Sequence, residues 1–263
     1  MLRARDPAFI RKLRPFVKWY AERYFRAEVE GMENLIPGAS VLVGTHNGGM
    51  HLADTYAFAN AFWDRFGTEM PAYGLMHRVV SAVPPVRDAF LRLGALPASP
   101  DAADVVLRAG HPLFVLPGGD LDALKPYRDR HKIVFGPRRG FVRVAIRHGA
   151  PIVPIVSVGA HEVMFILNDG EWLARLLGLR RFLRIAKAPF AFSFPFGLTI
   201  AGLPSLPLPS KVHVRVLPPI RLAEPPRAAN DAAAVERAFE HVRSVMQQGL
   251  DELASGRKRP LLG

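Results

Sequence analysis

Apolar residues arrive along this chain in two rhythms. Short unbroken runs at residues 40–45 (SVLVGT), 112–117 (PLFVLP) and 151–159 (PIVPIVSVG) predict strands buried on both faces. Residues 211–218 (KVHVRVLP) alternate apolar with polar and predict a half-buried strand. Between these runs the spacing turns helical, over 52–66, over 101–109 with Asp101 as cap, over 140–149 ending at Gly149, and over 231–254. At the start, Phe9, Leu13, Phe16, Tyr20 and Tyr24 recur every three or four residues and predict a helix over 8–27 with a basic opposite side. Pro15 falls within it, to kink it or to start its second half.

Continuous apolar strands between helices predict an α/β fold: a single domain with a central, mostly parallel sheet flanked by helices. The expected division is an N-terminal amphipathic helix at 1–27, a core at 28–222, and a closing helix with a basic tail, Arg257-Lys258-Arg259, at 223–263. In such sheets chemistry sits on loops at the carboxyl ends of the strands. His46 and the segment Pro117-Gly118-Gly119-Asp120 fall there.

Composition changes this picture in three places. Cysteine is absent, which excludes disulfides, thiolate catalysis and Cys-based zinc sites and fits the cytosol. The first residues are charged and no apolar core follows them, so no signal peptide is expected. The formal net charge of +12 calls for an anionic partner: nucleic acid, a phospholipid surface or a phosphate-bearing small molecule. Residues 1–26, 125–147 and 173–187 carry most of that charge, and solvated surface is its ordinary explanation.

The longest uncharged run, 188–210, is long enough to span a bilayer, but five prolines interrupt it, so an apolar loop or surface is expected instead. Either the N-terminal helix lies in a membrane interface, with Trp19 and the tyrosines at the boundary, or it packs into the core with a wet basic face.

The candidate chemistry lies in residues 41–54, VLVGTHNGGMHLAD. A neutral histidine accepts a proton from an attacking hydroxyl, and a carboxylate on its other nitrogen fixes the tautomer. His46 is therefore the candidate base and Asp54 its candidate partner. Gly48 and Gly49 permit close approach of a substrate to the backbone. Metal binding by His46, His51 and Asp54 is disfavoured because no His-Glu-x-x-His spacing exists. A second cluster joins Pro117, Gly118, Gly119, Asp120 and Asp122 to a basic run; glycine amides there suit an oxyanion or a phosphate. P-loop, dinucleotide and serine-hydrolase motifs are all absent.

In this order the pieces resemble the PlsC-like glycerolipid acyltransferase superfamily, over roughly residues 28–222. Its first block is a strand ending in Asn-His with an aspartate following. Here it is Thr45-His46, with His51 at the commonest aspartate position and Asp54 fitting a diacylglycerol-acyltransferase-like branch. Leu93–Ser99 resembles its second block. Leu116-Pro117-Gly118-Gly119 resembles the third, with Asp122 where a glutamate is expected. Ala150–Val156 resembles the fourth.

The resemblance implies transfer of an acyl group from acyl-CoA or acyl-carrier protein to a hydroxyl of a glycerolipid or lysophospholipid, without cofactor, metal or covalent acyl-enzyme. It implies His46 as base, Asp54 as its orienting acid, and Gly118 and Gly119 positioning acceptor or oxyanion. Arg128, Arg138 and Arg139 are the candidates to bind a phosphate on the acceptor or the donor, and the sequence does not say which of them does. The expected location is cytoplasmic and peripheral on an anionic membrane surface, through the N-terminal helix, residues 172–187 and residues 188–210. Competing readings are transfer to a neutral acceptor (diacylglycerol, a glycolipid or an alcohol), a catalytically silent lipid-binding protein, and a nucleic-acid-binding protein. The loss of the block-three glutamate favours the first of these, and no recognition motif supports the last.

Overall fold

A computed structural model describes residues 2–182, 185–200, 202–257, 259 and 261. Leu183 and Arg184 of the 172–187 segment and Lys258 of the basic tail lie outside the described residues.

The chain opens with α1 (Pro7–Lys18), which continues as a π-helical turn over Trp19–Tyr24. Asp6 caps α1 by accepting from the Phe9 amide, and Pro7 occupies its first turn, where a missing amide costs nothing. Then follow β1 (Glu28–Glu30), β2 (Ser40–Gly44), α2 (Ala53–Phe66) and β3 (Tyr73–Met76). After α3 (Arg78–Ser81) and α4 (Pro84–Leu93) come β4 (Ala95–Pro97), α5 (Pro100–Arg108), β5 (Pro112–Val115) and α6 (Gly119–Ala123). The chain continues through α7 (Gly140–His148), β6 (Ile152–Val158), β7 (Phe165–Ile166), α8 (Glu171–Leu176) and α9 (Leu179–Phe182). It closes with β8 (Phe190–Ser193), β9 (Gly197–Ile200), β10 (His213–Val216) and α10 (Ala232–Ser255).

Seven strands form one sheet in the order β1-β10-β6-β2-β5-β3-β4. The five from β6 to β4 are mutually parallel, and β10 and β1 run the other way at one edge. The sheet is thus mostly parallel, as expected. Alternate residues of β2 feed two cores. Val41 and Val43 pack with α5, α7 and α10 on one face, and Leu42 packs with α2 and Phe25 on the other. Burial on both faces explains why β2 and β6 read as unbroken apolar runs.

Three expectations need correction. The cap of α5 is Ser99, whose hydroxyl accepts from the Ala102 amide at 3.1 Å, with Pro100 behind it; Asp101 sits inside the first turn. The stripe that buries α1 and its continuation is Ile10, Val17, Ala21 and Phe25, offset by one residue from the expected one. Phe16 and Trp19 point outward. A helix register of 3.6 places the buried residues there, and the π-turn shifts the last of them. Finally, 188–210 is an apolar surface, as one of its two readings had it, but not all loop. It folds β8 and β9 into a hairpin that pairs with β7 as a separate antiparallel sheet. Among the described residues no helix is long and apolar enough to cross a membrane.

Candidate functional site

Because β2, β5 and β6 are parallel neighbours, their carboxyl ends bring three segments to one rim. These are residues 45–51 after β2, Pro117 to Lys125 after β5, and residues 159–163 after β6. His46, Asp122 and His161 meet there.

The first turn is built on two glycines in left-handed conformation, Gly48 at φ 69° and Gly49 at φ 61°. A Cβ on Gly48 would lie 2.3 Å from the Ala160 carbonyl oxygen, and one on Gly49 would lie 2.5 Å from the Met164 methyl. The close approach they permit is therefore to the segment after β6, not to a substrate as expected. Their amides are also engaged: Gly48 N donates to His161 Nδ1 at 3.4 Å and Gly49 N to the Ala123 carbonyl at 3.1 Å.

The His46 amide donates to Asp122 Oδ2 at 2.8 Å, and the other Asp122 oxygen accepts from Lys125 Nζ at 2.7 Å. Asp122 and Lys125 are both enclosed, at 0% and 1% exposure. The ammonium also donates to the Lys132 carbonyl at 2.9 Å. A buried ion pair persists only when its remaining valences are met in this way. Asp122 is thus the residue that ties the strand-end histidine to the turn after β5.

The His46 ring is partly exposed, but its Nδ1 is enclosed and has no hydrogen-bond partner. Burial pushes its pKa down to about 4; Asp122 opposes the shift, and Lys125 and His77 add to it. The imidazole is therefore neutral at physiological pH. The expected bond from Asp54 to this ring is not made. Asp54 Oδ2 instead accepts from Ser157 Oγ at 2.7 Å and Asn47 Nδ2 at 3.0 Å, and Oδ1 from the Thr55 amide at 2.8 Å. The reason is local: Leu52, in left-handed conformation, starts α2, and the first turn aims the carboxylate at the sheet rather than at the rim. Burial raises the Asp54 pKa to about 6, against these three hydrogen bonds. Asn47 also reaches Thr45 Oγ1 and Ser157 Oγ, both at 3.0 Å, so Asp54 anchors the loop through the residue next to His46. His51 is elsewhere, its Nε2 at 2.8 Å from Ser205 Oγ.

The second turn is closed on itself. Gly119 N donates to the Leu116 carbonyl at 3.1 Å, which removes one of the two glycine amides expected to face an oxyanion. Gly118 allows Asp122 to fold close, since a Cβ there would stand 2.3 Å from the Asp122 Cβ. Arg138 donates to the carbonyls of Pro117 at 3.2 Å and Gly118 at 2.6 Å and pairs with Asp120. Arg139 pairs with Glu236 at 2.8 Å and lies 3.4 Å over the Phe239 ring. Arg128 is exposed beside Asp129. Of the three candidate phosphate-binding arginines, Arg138 and Arg139 are engaged by protein partners and Arg128 stays exposed. Arg138 braces the turn, and Arg139 fastens α7 to α10.

Sequence reasoning missed Asn47, Ser157, Lys125 and His161. His161 is buried, bonds the Lys125 carbonyl through Nε2 at 2.8 Å, and has its pKa pushed down to about 3, chiefly by burial. Ser157 and His161 follow from the strand-end rule applied to β6 as it was to β2. Lys125 stands three residues from Asp122, the spacing of an ion pair on one helical turn. A cavity of about 220 Å³, lined by Leu35, Leu42, Phe62, Phe66 and Met70, opens at the amino end of β2, away from His46.

Comparison with known proteins identifies the family and the fold. The diacylglycerol acyltransferase family model matches residues 4–235. An uncharacterized protein of Mycobacterium leprae is 32% identical over 262 residues, spanning 98% of this chain and 68% of its own length. Human 2-acylglycerol O-acyltransferase 3 is 24% identical over 213 residues, covering 72% of this chain and 62% of its own. Human diacylglycerol O-acyltransferase 2 is 26% identical over 171 residues, 61% of this chain and 44% of its own. Among solved structures, the 1-acyl-sn-glycerophosphate acyltransferase PlsC of Thermotoga maritima shares the fold, with a TM-score of 0.58 at 16% identity over 97% of this chain and 86% of that one. The chain belongs to the diacylglycerol acyltransferase family of glycerolipid acyltransferases, on a PlsC-like fold.

Proposed function

We propose that the protein transfers a fatty acyl group from an acyl thioester, acyl-CoA or acyl-carrier protein, to a hydroxyl of a neutral acylglycerol, with His46 as general base. The observation that carries the reading is a neutral imidazole held at the strand carboxyl ends by its own backbone bond to Asp122. Nδ1 is enclosed, so Nε2 is the nitrogen left to take the proton. The acceptor oxygen bonds to the acyl carbon as its proton passes to Nε2. The carbon–sulfur bond then breaks, and the imidazolium returns the proton to the departing thiolate. No acyl-enzyme is needed, and none of these steps requires a metal.

A neutral acceptor is favoured over a lysophospholipid because Arg138 and Arg139 are committed to protein partners, which leaves Arg128, exposed 3.8 Å from Asp129, as the remaining fork of the three candidates. A phosphate-binding site needs a free guanidinium fork. Names of the relatives point the same way: diacylglycerol O-acyltransferase 2 and 2-acylglycerol O-acyltransferase 3 act on acylglycerols by name. The test is incubation of purified protein with labelled acyl-CoA or acyl-carrier protein and a panel of monoacylglycerol, diacylglycerol, lysophosphatidate and glycerol phosphate. Label in neutral lipid is expected. Label confined to phospholipid rejects the acceptor, and no product with any pair rejects the activity.

A further inference from the structure

The β8–β9 hairpin is sided against the usual rule. Along it Phe192, Phe194, Phe196, Leu198 and Ile200 face outward, between 46% and 64% exposed. The inward positions hold Ala191 and two hydroxyls, Ser193 and Thr199, which bond each other at 2.8 Å. A half-buried strand in water places its polar residues outside and its apolar residues inside. Here the hydroxyls are satisfied internally and five large apolar side chains are left open. Leu203 and Leu206, beyond the hairpin, are about as exposed. Such a contiguous apolar patch marks a contact with another apolar phase.

Two further observations say what that phase is. The patch is joined to other exposed amphipathic groups: Trp172 meets Phe190 at 6.4 Å between ring centroids, and Tyr24, which meets Trp19 at 5.9 Å, donates to the Pro207 carbonyl at 2.5 Å. Tryptophan and tyrosine favour the bilayer boundary, where one end of the ring is apolar and the other wet. Around them Arg23, Arg175 and Arg181 are exposed and make no ion pair among the described residues. Cations free of internal partners suit anionic headgroups rather than another apolar protein face. The insert also touches the catalytic rim, through His51 Nε2 and Ser205 Oγ at 2.8 Å.

We infer that the β8–β9 hairpin is the membrane-docking element, entering the surface of an anionic lipid bilayer with its outward phenylalanines and holding the His46 rim at the lipid boundary. The inference rests on the lipid-acceptor reading for its purpose, though not for its geometry. The test is co-sedimentation with phosphatidylcholine vesicles containing phosphatidylglycerol, without acyl donor, for wild type and for a Phe194→Ser, Phe196→Ser, Leu198→Ser triple variant. Those side chains add little to the core, so the melting temperature is expected to hold. Partitioning is expected to fall by about a hundredfold or more, given the transfer free energy of such side chains.

Turnover on a short-chain acceptor dissolved in water is expected to stay within about twofold, a modest change on the free-energy scale. Equal binding by variant and wild type overturns the inference, as does a wild type that ignores vesicles. A wild-type dimer that the variant disperses while vesicle binding is unchanged also overturns it, by making the hairpin a self-association face. A wild type that docks but acylates nothing leaves the inference standing and refutes the acyl-transfer reading instead.

Discussion

The backbone of His46 and the side chain of Asp122 are joined across 76 positions of sequence by one hydrogen bond of 2.8 Å. The carboxylate that serves the histidine therefore holds its main chain, not its ring. Asp122→Asn would leave Lys125 buried without its counter-charge. We expect a loss of about 3 kcal/mol or more in stability, measured by urea unfolding. Asp122→Leu combined with Lys125→Met, which removes the acceptor of the His46 amide as well as both charges, should recover much of that stability without recovering acyl transfer. Full activity in the double variant would show that the tie to His46 is dispensable.

His46→Ala removes the proposed base and nothing structural, because the ring makes no hydrogen bond at Nδ1. Acyl transfer is expected to fall by about two to four decades with an unchanged melting temperature. Near-normal turnover in the folded variant rejects His46.

Asp54→Asn tests a support role. The new amide nitrogen would meet the Asn47 amide and the Ser157 hydroxyl, both of which now donate to the carboxylate. A donor facing a donor costs about 1–3 kcal/mol, so melting temperature and turnover should fall together. His51→Gln should cost much less. Loss of turnover at unchanged melting temperature would point instead to a direct part for Asp54 in the chemistry.

Stability should depend on acid with a sign set by three buried groups. His46 and His161 titrate near 4 and near 3 when folded, below an ordinary histidine, so the unfolded chain takes up their protons first. Their contribution is complete above about pH 6.5 and is lost as pH falls toward their folded values. Asp54, raised to about 6, works in reverse: the folded state holds its proton longer, and that contribution disappears as pH rises past about 6. Between about pH 4.5 and 6 the two histidines outweigh the one acid, so melting temperature should fall on acidification. His161→Gln should flatten the profile and Asp54→Asn should steepen it; melts across that range are the measurement.

Deleting residues 1–26 should destabilise the fold rather than merely loosen a membrane anchor. Ile10, Val17, Ala21 and Phe25 are all buried to within 1%. Losing buried side chains the size of Ile10 and Phe25 costs about 2–5 kcal/mol each. A truncated protein that melts with the full chain would show the helix to be an appendage.

What the sequence disclosed depended on how locally each feature is encoded. β2, β5 and β6 were legible because both faces of each strand are buried, and His46 because a strand end is also a chain-local feature. The Asp122 tie was half legible: the residue stands out beside Pro117-Gly118-Gly119, but its bond to His46 depends on two parallel strands lying side by side. The Asp54 expectation failed at the level of side-chain direction, set by the first turn of α2. The engagement of Arg138 and Arg139 was not legible because charge in sequence does not show which carboxylate or carbonyl will claim it. The five prolines of 188–210 argued correctly against a membrane helix, but their spacing left room for two four-residue strands, and the alternation within those strands went unread.

That alternation has a consequence for how the hairpin behaves in water. Ser193 is paired opposite Gly197, Phe192 opposite Leu198 and Phe190 opposite Ile200. Shifting one strand by a single residue would turn its phenylalanines inward and hide them, the obvious escape for an apolar ribbon facing solvent. The same shift would break the Ser193–Thr199 hydroxyl pair, carrying Ser193 to the outer face and leaving the Thr199 hydroxyl enclosed without that partner. The pair therefore works as a ratchet pawl: it denies the strands the slippage that would conceal their greasy side, and so keeps that side presented throughout the protein's time in solution.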